Sequence, residues 1–125
     1  MAAILTNTGI AQIIDALNGG SHTAPQYLGW GTGTTGAAAT DTGLETASAE
    51  ARVSGSKSIV NTNVTGDTYQ VVGTITSAGS QTISEVILND ASTAGQTYVR
   101  GVFTGIPLGA GDSIQFTVKI ILAQP

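Results

Sequence analysis

The chain has no cysteine and one histidine. The first absence excludes a disulfide framework, a thiolate metal site and a thiol nucleophile. The second leaves a zinc site to be built mainly from carboxylates, whereas structural zinc overwhelmingly uses Cys and His. A serine triad would depend on His22, which sits in Gly20-Ser21-His22-Thr23, a segment that reads as an exposed linker, and no G-x-S-x-G elbow occurs. Charge is also scarce. Only 10% of the residues are charged, the formal net charge is -4, and the four cations Arg52, Lys57, Arg100 and Lys119 are scattered. Nucleic-acid binding needs clustered Lys and Arg to displace counterions, so composition argues against it. At 5% aromatic residues the chain has few platforms for sugar rings. The opening Met1-Ala2-Ala3-Ile4-Leu5 lacks a basic flank and is cut short by Thr6-Asn7-Thr8. That start predicts neither signal peptide nor membrane span, and hence a soluble chain made in the cytoplasm.

What is present is a hydrophobic fraction of 41% beside abundant Thr, Ser, Gly and Ala. This is too apolar for a disordered chain, and 125 residues suffice for a single core. A surface covered by hydroxyl and amide groups costs little to desolvate against a partner. Ile10, Ile13, Ile14 and Leu17 fall at the i, i+3, i+4, i+7 spacing of one helical face, with Asn7 or Thr8 as cap and Gly19-Gly20 as stop. Such a helix either covers an open end of the core or packs on a neighbouring subunit. Beyond Pro25 the pattern changes to short extended runs. In Asp112 to Leu122, Ile114, Phe116, Val118 and Ile120 alternate with polar residues, which predicts a buried face on a strand that is central or nearly so. Tyr69 to Thr76, Thr82 to Asn89 and Tyr98 to Thr104 are further strands, and Gln26 to Gly31, Ala49 to Val53 and Ser58 to Val64 are weaker ones. The expected fold is all-β, an antiparallel β-sandwich or jelly roll spanning 26–125, preceded by a helix or arm in 1–25.

Few residues invite a chemical reading. Gly31-Thr32-Gly33-Thr34-Thr35-Gly36 matches the literal G-x-G-x-x-G pattern, but no helix or βαβ context follows, so a turn-rich loop is expected in place of a dinucleotide site. Tyr27 and Trp30 read as core or sheet anchors. No acidic pair stands out as a glycosidase couple. Glu85 and Arg100 lie inside apolar strands and read as a cross-strand or edge ion pair, with a partner contact as the alternative. Gly36, Ala37, Ala38, Ala39 and Thr40 open a small-residue stretch that reads as a surface loop, where contacts concentrate. No cofactor, metal or catalytic residue is expected, and the chain is not expected to be an enzyme.

Tyr27-Leu28-Gly29-Trp30-Gly31-Thr32-Gly33, the stretch from Glu45 through Glu50-Ala51-Arg52, and Asp67-Thr68-Tyr69-Gln70-Val71-Val72-Gly73-Thr74-Ile75 together resemble a group of small tailed-phage virion proteins, and the closing Gly111 to Thr117 fits the same group. The resemblance carries no chemical motif. It implies a capsid decoration, cement or staple protein at the capsid surface of the virion, binding the major capsid protein as a homodimer or homotrimer, with neither nucleic acid nor membrane as partner. The expected contact residues are Ile10, Ile13, Ile14 and Leu17 together with Gly36 to Thr40. The alternative is a carbohydrate-binding module associated with a tail or fibre.

Overall fold

The computed structural model describes residues 2–124. Eight strands and one helix follow in the order β1 (Ala2–Leu5), α1 (Asn7–Leu17), β2 (Tyr27–Gly31), β3 (Val53–Ser54), β4 (Ser56–Val60), β5 (Thr68–Thr76), β6 (Gln81–Asn89), β7 (Thr97–Leu108) and β8 (Ser113–Ile121). They form two antiparallel sheets, one in the order β1-β7-β6-β2-β3 and the other β4-β5-β8. The fold is an all-β sandwich.

The core lies between the sheets. Trp30, Leu28, Ile83, Val86 and Leu88 on one side meet Val71, Ile75, Phe116, Val118 and Ile120 on the other. Trp30 packs edge-on against Phe116, with ring centroids 6.4 Å apart. At full burial, side chains of this size each stabilise the fold by about 1.5–3 kcal/mol. The alternation expected for β8 holds, though Ile114 at its start is only half-buried: Phe116, Val118 and Ile120 are buried while Gln115, Thr117 and Lys119 are exposed. Its position does not match expectation, because β8 is an edge strand and β5 is the centre of its sheet. Both positions bury one face in an antiparallel sheet, so periodicity alone does not separate them.

β6 is buried on both faces from Ile83 to Asn89. A shift of register between Ile83 and Glu85, where Ser84 alone stands against Phe103 to Gly105 of β7, marks an irregularity in the pair. It directs Ile83, Val86 and Leu88 into the core and leaves Glu85 and Ile87 on the outer face. That outer face is covered by the long connection from β2 to β3, whose Leu44 and Arg52 approach Gly29 beside Ile87.

Residues 2–25 are not set apart from the sandwich. β1 pairs with β7 from Ala2↔Val102 to Leu5↔Val99, and α1 packs against the same strand. Thr6, neither Asn7 nor Thr8, caps the helix, with its hydroxyl accepting from Gly9 N at 2.9 Å and donating to Thr97 O at 2.6 Å. The reason is that Leu5 still belongs to the strand, so the chain must turn at Thr6. Gly9 makes the close approach possible, since a Cβ there would stand 2.7 Å from Tyr98 O.

Candidate functional site

Two segments expected to make contacts meet on one side of the molecule. Asn7 N donates to Ala39 O at 2.8 Å, which sets the 36–40 loop against the first turn of α1. Gly36, Ala38, Ala39 and Thr40 are exposed and Ala37 is half-buried. On the helix, Ile10, Ile14 and Leu17 are 47%, 58% and 78% exposed, so this apolar stripe has no cover from the chain's own core. Ile13 departs from that expectation. It lies one turn beyond Gly9, on the edge of the stripe that meets the sheet, and packs partly buried against the core. The helix therefore anchors through Gly9 and Ile13 and presents Ile10, Ile14 and Leu17 outward.

A buried polar network holds the loop. Glu85 is fully buried. Its Oε2 accepts from Gly33 N at 2.6 Å and Thr46 N at 3.0 Å, and its Oε1 accepts from Glu45 N at 2.7 Å and Arg100 Nε at 3.4 Å. Arg100, almost as buried, also donates to Asp41 Oδ2 at 2.9 Å and Thr35 O at 3.1 Å. Asp41 in turn accepts from Ala38 N at 2.8 Å. That amide, with Arg100 beside it, holds the Asp41 carboxyl below its ordinary range. Glu85 and Arg100 are therefore a cross-strand pair between β6 and β7, away from any sheet edge, and they fasten the segment expected to touch a partner.

The G-x-G-x-x-G segment shows where its amides go. Gly33 N binds Glu85, and Thr34 N and Thr35 N bind Glu45 Oε1 at 2.9 and 3.2 Å. Glu45 is held below its ordinary carboxylate range by Thr35 first and then Thr34. Donors that would face a pyrophosphate in a dinucleotide site are occupied by the chain's own carboxylates, and no helix follows. A Cβ at Gly33 would overlap Glu85 Oε2, so the glycine permits the contact.

This use of acids extends across the molecule. Besides Asp41, Glu45 and Glu85, Glu50 accepts from Ala78 N, Asp67 from the amides of Thr62, Asn63 and Val64, Asp90 from Gln96 N and Asp112 from Gly109 N. Glu50 also takes the Trp30 indole and the Gln81 amide, and with Ala78 N these bring its pKa to about 2. Asp67 is lowered by its turn amides, those of Asn63 and Val64 foremost. Asp15 differs, pairing with His22 Nε2 across the end of α1. Among the described residues no group of three or more His, Asp or Glu is placed to hold a metal ion. Trp30, 1% exposed, offers no platform to a sugar.

A cleft of about 430 Å³ opens between α1 and the three-stranded sheet, with Ile13, Tyr69, Tyr98 and Ile120 in its lining. Tyr69 Oη donates to Pro25 O at 2.7 Å, and burial raises both phenols. No helix among the described residues is long and apolar enough to cross a membrane. Comparison of the chain with protein-family models, curated proteins and solved structures finds no match.

Sequence periodicity located the α1 stripe and composition located the loop. The residues that hold each in place, Thr6 for the helix and Asp41 and Glu45 for the loop, were missed. The Thr6-x-x-Gly9 spacing was the one local signal, a capping hydroxyl three residues before an amide it binds.

Proposed function

We propose that the chain is a non-catalytic decoration protein, of cement or staple type, that docks on the capsid of a tailed phage. It binds the major capsid protein through the outer face of α1 and the adjoining 36–40 loop, as an oligomer of two or three copies at the capsid surface. The observation that carries this reading is the contiguity of an exposed apolar stripe, Ile10, Ile14 and Leu17, with a small-residue loop pinned from beneath by Arg100 and Asp41. Covering the stripe recovers about 1.5–3 kcal/mol per fully buried side chain, and the pinned loop has little ordering entropy left to lose. Such modest contacts, repeated over a shell, reinforce it by multivalency. The resemblance of the segments around Trp30, Glu50 and Val71 to small virion proteins points the same way. A carbohydrate-binding role finds less support, because the single Trp is interior.

The test is cosedimentation of the purified chain with shells of the source phage's major capsid protein. The wild-type chain is expected to pellet with the shells and raise their melting temperature. Ile14→Asp/Leu17→Asp, on an exposed face, is expected to fold normally and stay in the supernatant. No cosedimentation of the folded wild type would refute the proposal.

A further inference from the structure

Among the described residues the sandwich has four edge strands, three of them short, and β7 beyond Val102 adds an open stretch interrupted by Pro107. β1 offers four residues, β3 two, and β4 five including Lys57. The fourth, β8, runs nine residues without proline or bulge, and its register with β5 is unbroken from Thr68↔Ile121 to Thr76↔Ser113. Soluble proteins blunt long edges with charge, proline, bulges or brevity, and β8 carries only Lys119.

The direction of its backbone groups follows from the bonds that flank the ladder. Leu122 N donates to Asp67 O at 3.0 Å, and Ser77 N donates to Asp112 O at 2.7 Å. Even-numbered residues of this strand therefore turn their N–H and C=O toward β5. By alternation, Ser113, Gln115, Thr117, Lys119 and Ile121 aim theirs at the open edge. The apolar side chains along that edge are also incompletely covered. Phe116, Val118 and Ile120 keep 7%, 8% and 9% exposure, against 0% and 1% for Val71 and Ile75 on the central strand.

We propose that β8 is a homodimer interface, pairing antiparallel with β8 of a second copy about a two-fold axis at Thr117 and joining two three-stranded sheets into one of six strands. Thr117 is the midpoint of the strand, so this register overlaps all nine residues. Both copies present the same outward set, and the pairing supplies up to about ten backbone hydrogen bonds. On the exposed face Lys119 lies opposite Gln115 of the second copy, whose side-chain carbonyl can accept from it. Moving the axis to Lys119 would put like charges opposite one another. On the inner face Phe116 meets Val118 of the second copy, closing the exposed margin of the core. An isologous contact of this kind closes at two and leaves no free edge to propagate. The inference deepens the oligomeric part of the decoration reading by fixing two copies, and its test needs no shell, so either can fail alone.

Sedimentation of the full chain is expected to show a concentration-dependent dimer. Thr117→Pro removes an N–H aimed at the open edge and spares the β5 ladder, so a folded monomer is expected. Thr117→Cys introduces the chain's sole thiol, and paired Cα atoms about 5.5 Å apart should let a short bis-maleimide link two copies. Ser58→Cys, on the β4 edge, should remain unlinked. If Thr117→Pro fails to fold, the two thiol variants decide. A wild type that stays monomeric up to its solubility limit overturns the proposal. So does a dimer that persists in folded Thr117→Pro, or linking at Ser58 in place of Thr117.

Discussion

Glu85→Gln changes one atom and tests how the outer cover is held. Each carboxylate oxygen of Glu85 faces two donors: Gly33 N and Thr46 N at Oε2, Glu45 N and Arg100 Nε at Oε1. An amide keeps one oxygen and turns its NH₂ toward the other pair, so donors oppose donors in either orientation. Two bonds to a charged acceptor are lost, worth about 1.5–3 kcal/mol each, and Arg100 keeps only Asp41 as a carboxylate partner. Opening of the loop to water would return part of that loss. The expected destabilisation is about 2–4 kcal/mol, a fall of about 8–15 °C in melting temperature for a domain of this size. Thermal melts followed by circular dichroism measure it, and hydrogen exchange locates it. The amides of Gly33, Glu45 and Thr46 should lose protection before those of Ile83 and Leu88 in the core. An unchanged melting temperature with unchanged protection at Gly33 would refute the claim that Glu85 fastens the loop.

Phe116→Ala should cost about 3 kcal/mol in urea unfolding, the low end for Phe truncation, because the edge strand leaves the ring 7% exposed and the site can partly refill with water. Gly33→Ala forces Glu85 Oε2 and Glu45 to move, so the same loop amides should exchange faster while the core amides keep their protection. Acid should destabilise the fold through Glu50. Its folded-state pKa of about 2 lies below the ordinary 4.5, so its contribution is fully present above pH 4.5 and is lost as pH falls toward 2. Stability measured across that window should fall less steeply in Glu50→Gln, and equal slopes would remove Glu50 as a cause.

Four strands were legible, β8 from its period of two and β5, β6 and β7 from runs rich in Val, Ile and Thr between turn signals, and their bounds shift by a residue at most except in β7, which continues to Leu108. The reason lies in its partner. β1 covers only Val99 to Val102, so the later half of β7 has a free side on which Pro107 is tolerated. β1 was not legible: four apolar residues read alike as helix or strand, and their partners lie about ninety-five residues away. The expected strand at Ala49 to Val53 shrinks to Val53–Ser54 because Glu50 is taken up by Trp30, Ala78 and Gln81 and Arg52 by the carbonyls of Ala91 and Ala94. At the candidate site the stripe was legible and the direction of Ile13 was not. Only the packing of Gly9 on Tyr98 decides which side of a helix faces inward.

The scarcity of charge takes on a different meaning once the side chains are placed. Read from composition, it describes a neutral surface that is cheap to desolvate. In the fold, every carboxylate except Asp15 holds backbone amides of a turn or loop, and Arg52 and Arg100 bind loop carbonyls. The charges are therefore concentrated where irregular backbone would otherwise lack partners, and they rigidify the long β2–β3 connection that strand pairing leaves unsupported. The Ile10, Ile14 and Leu17 face beside the 36–40 loop, bordered by Asp15, and the β8 edge with its lone Lys119 carry little charge. A contact there removes few ions from water, and desolvating ions is the larger cost of burying polar surface. The same economy of charge that braces the loops thus leaves a helix face suited to a shell and a strand edge suited to a second copy.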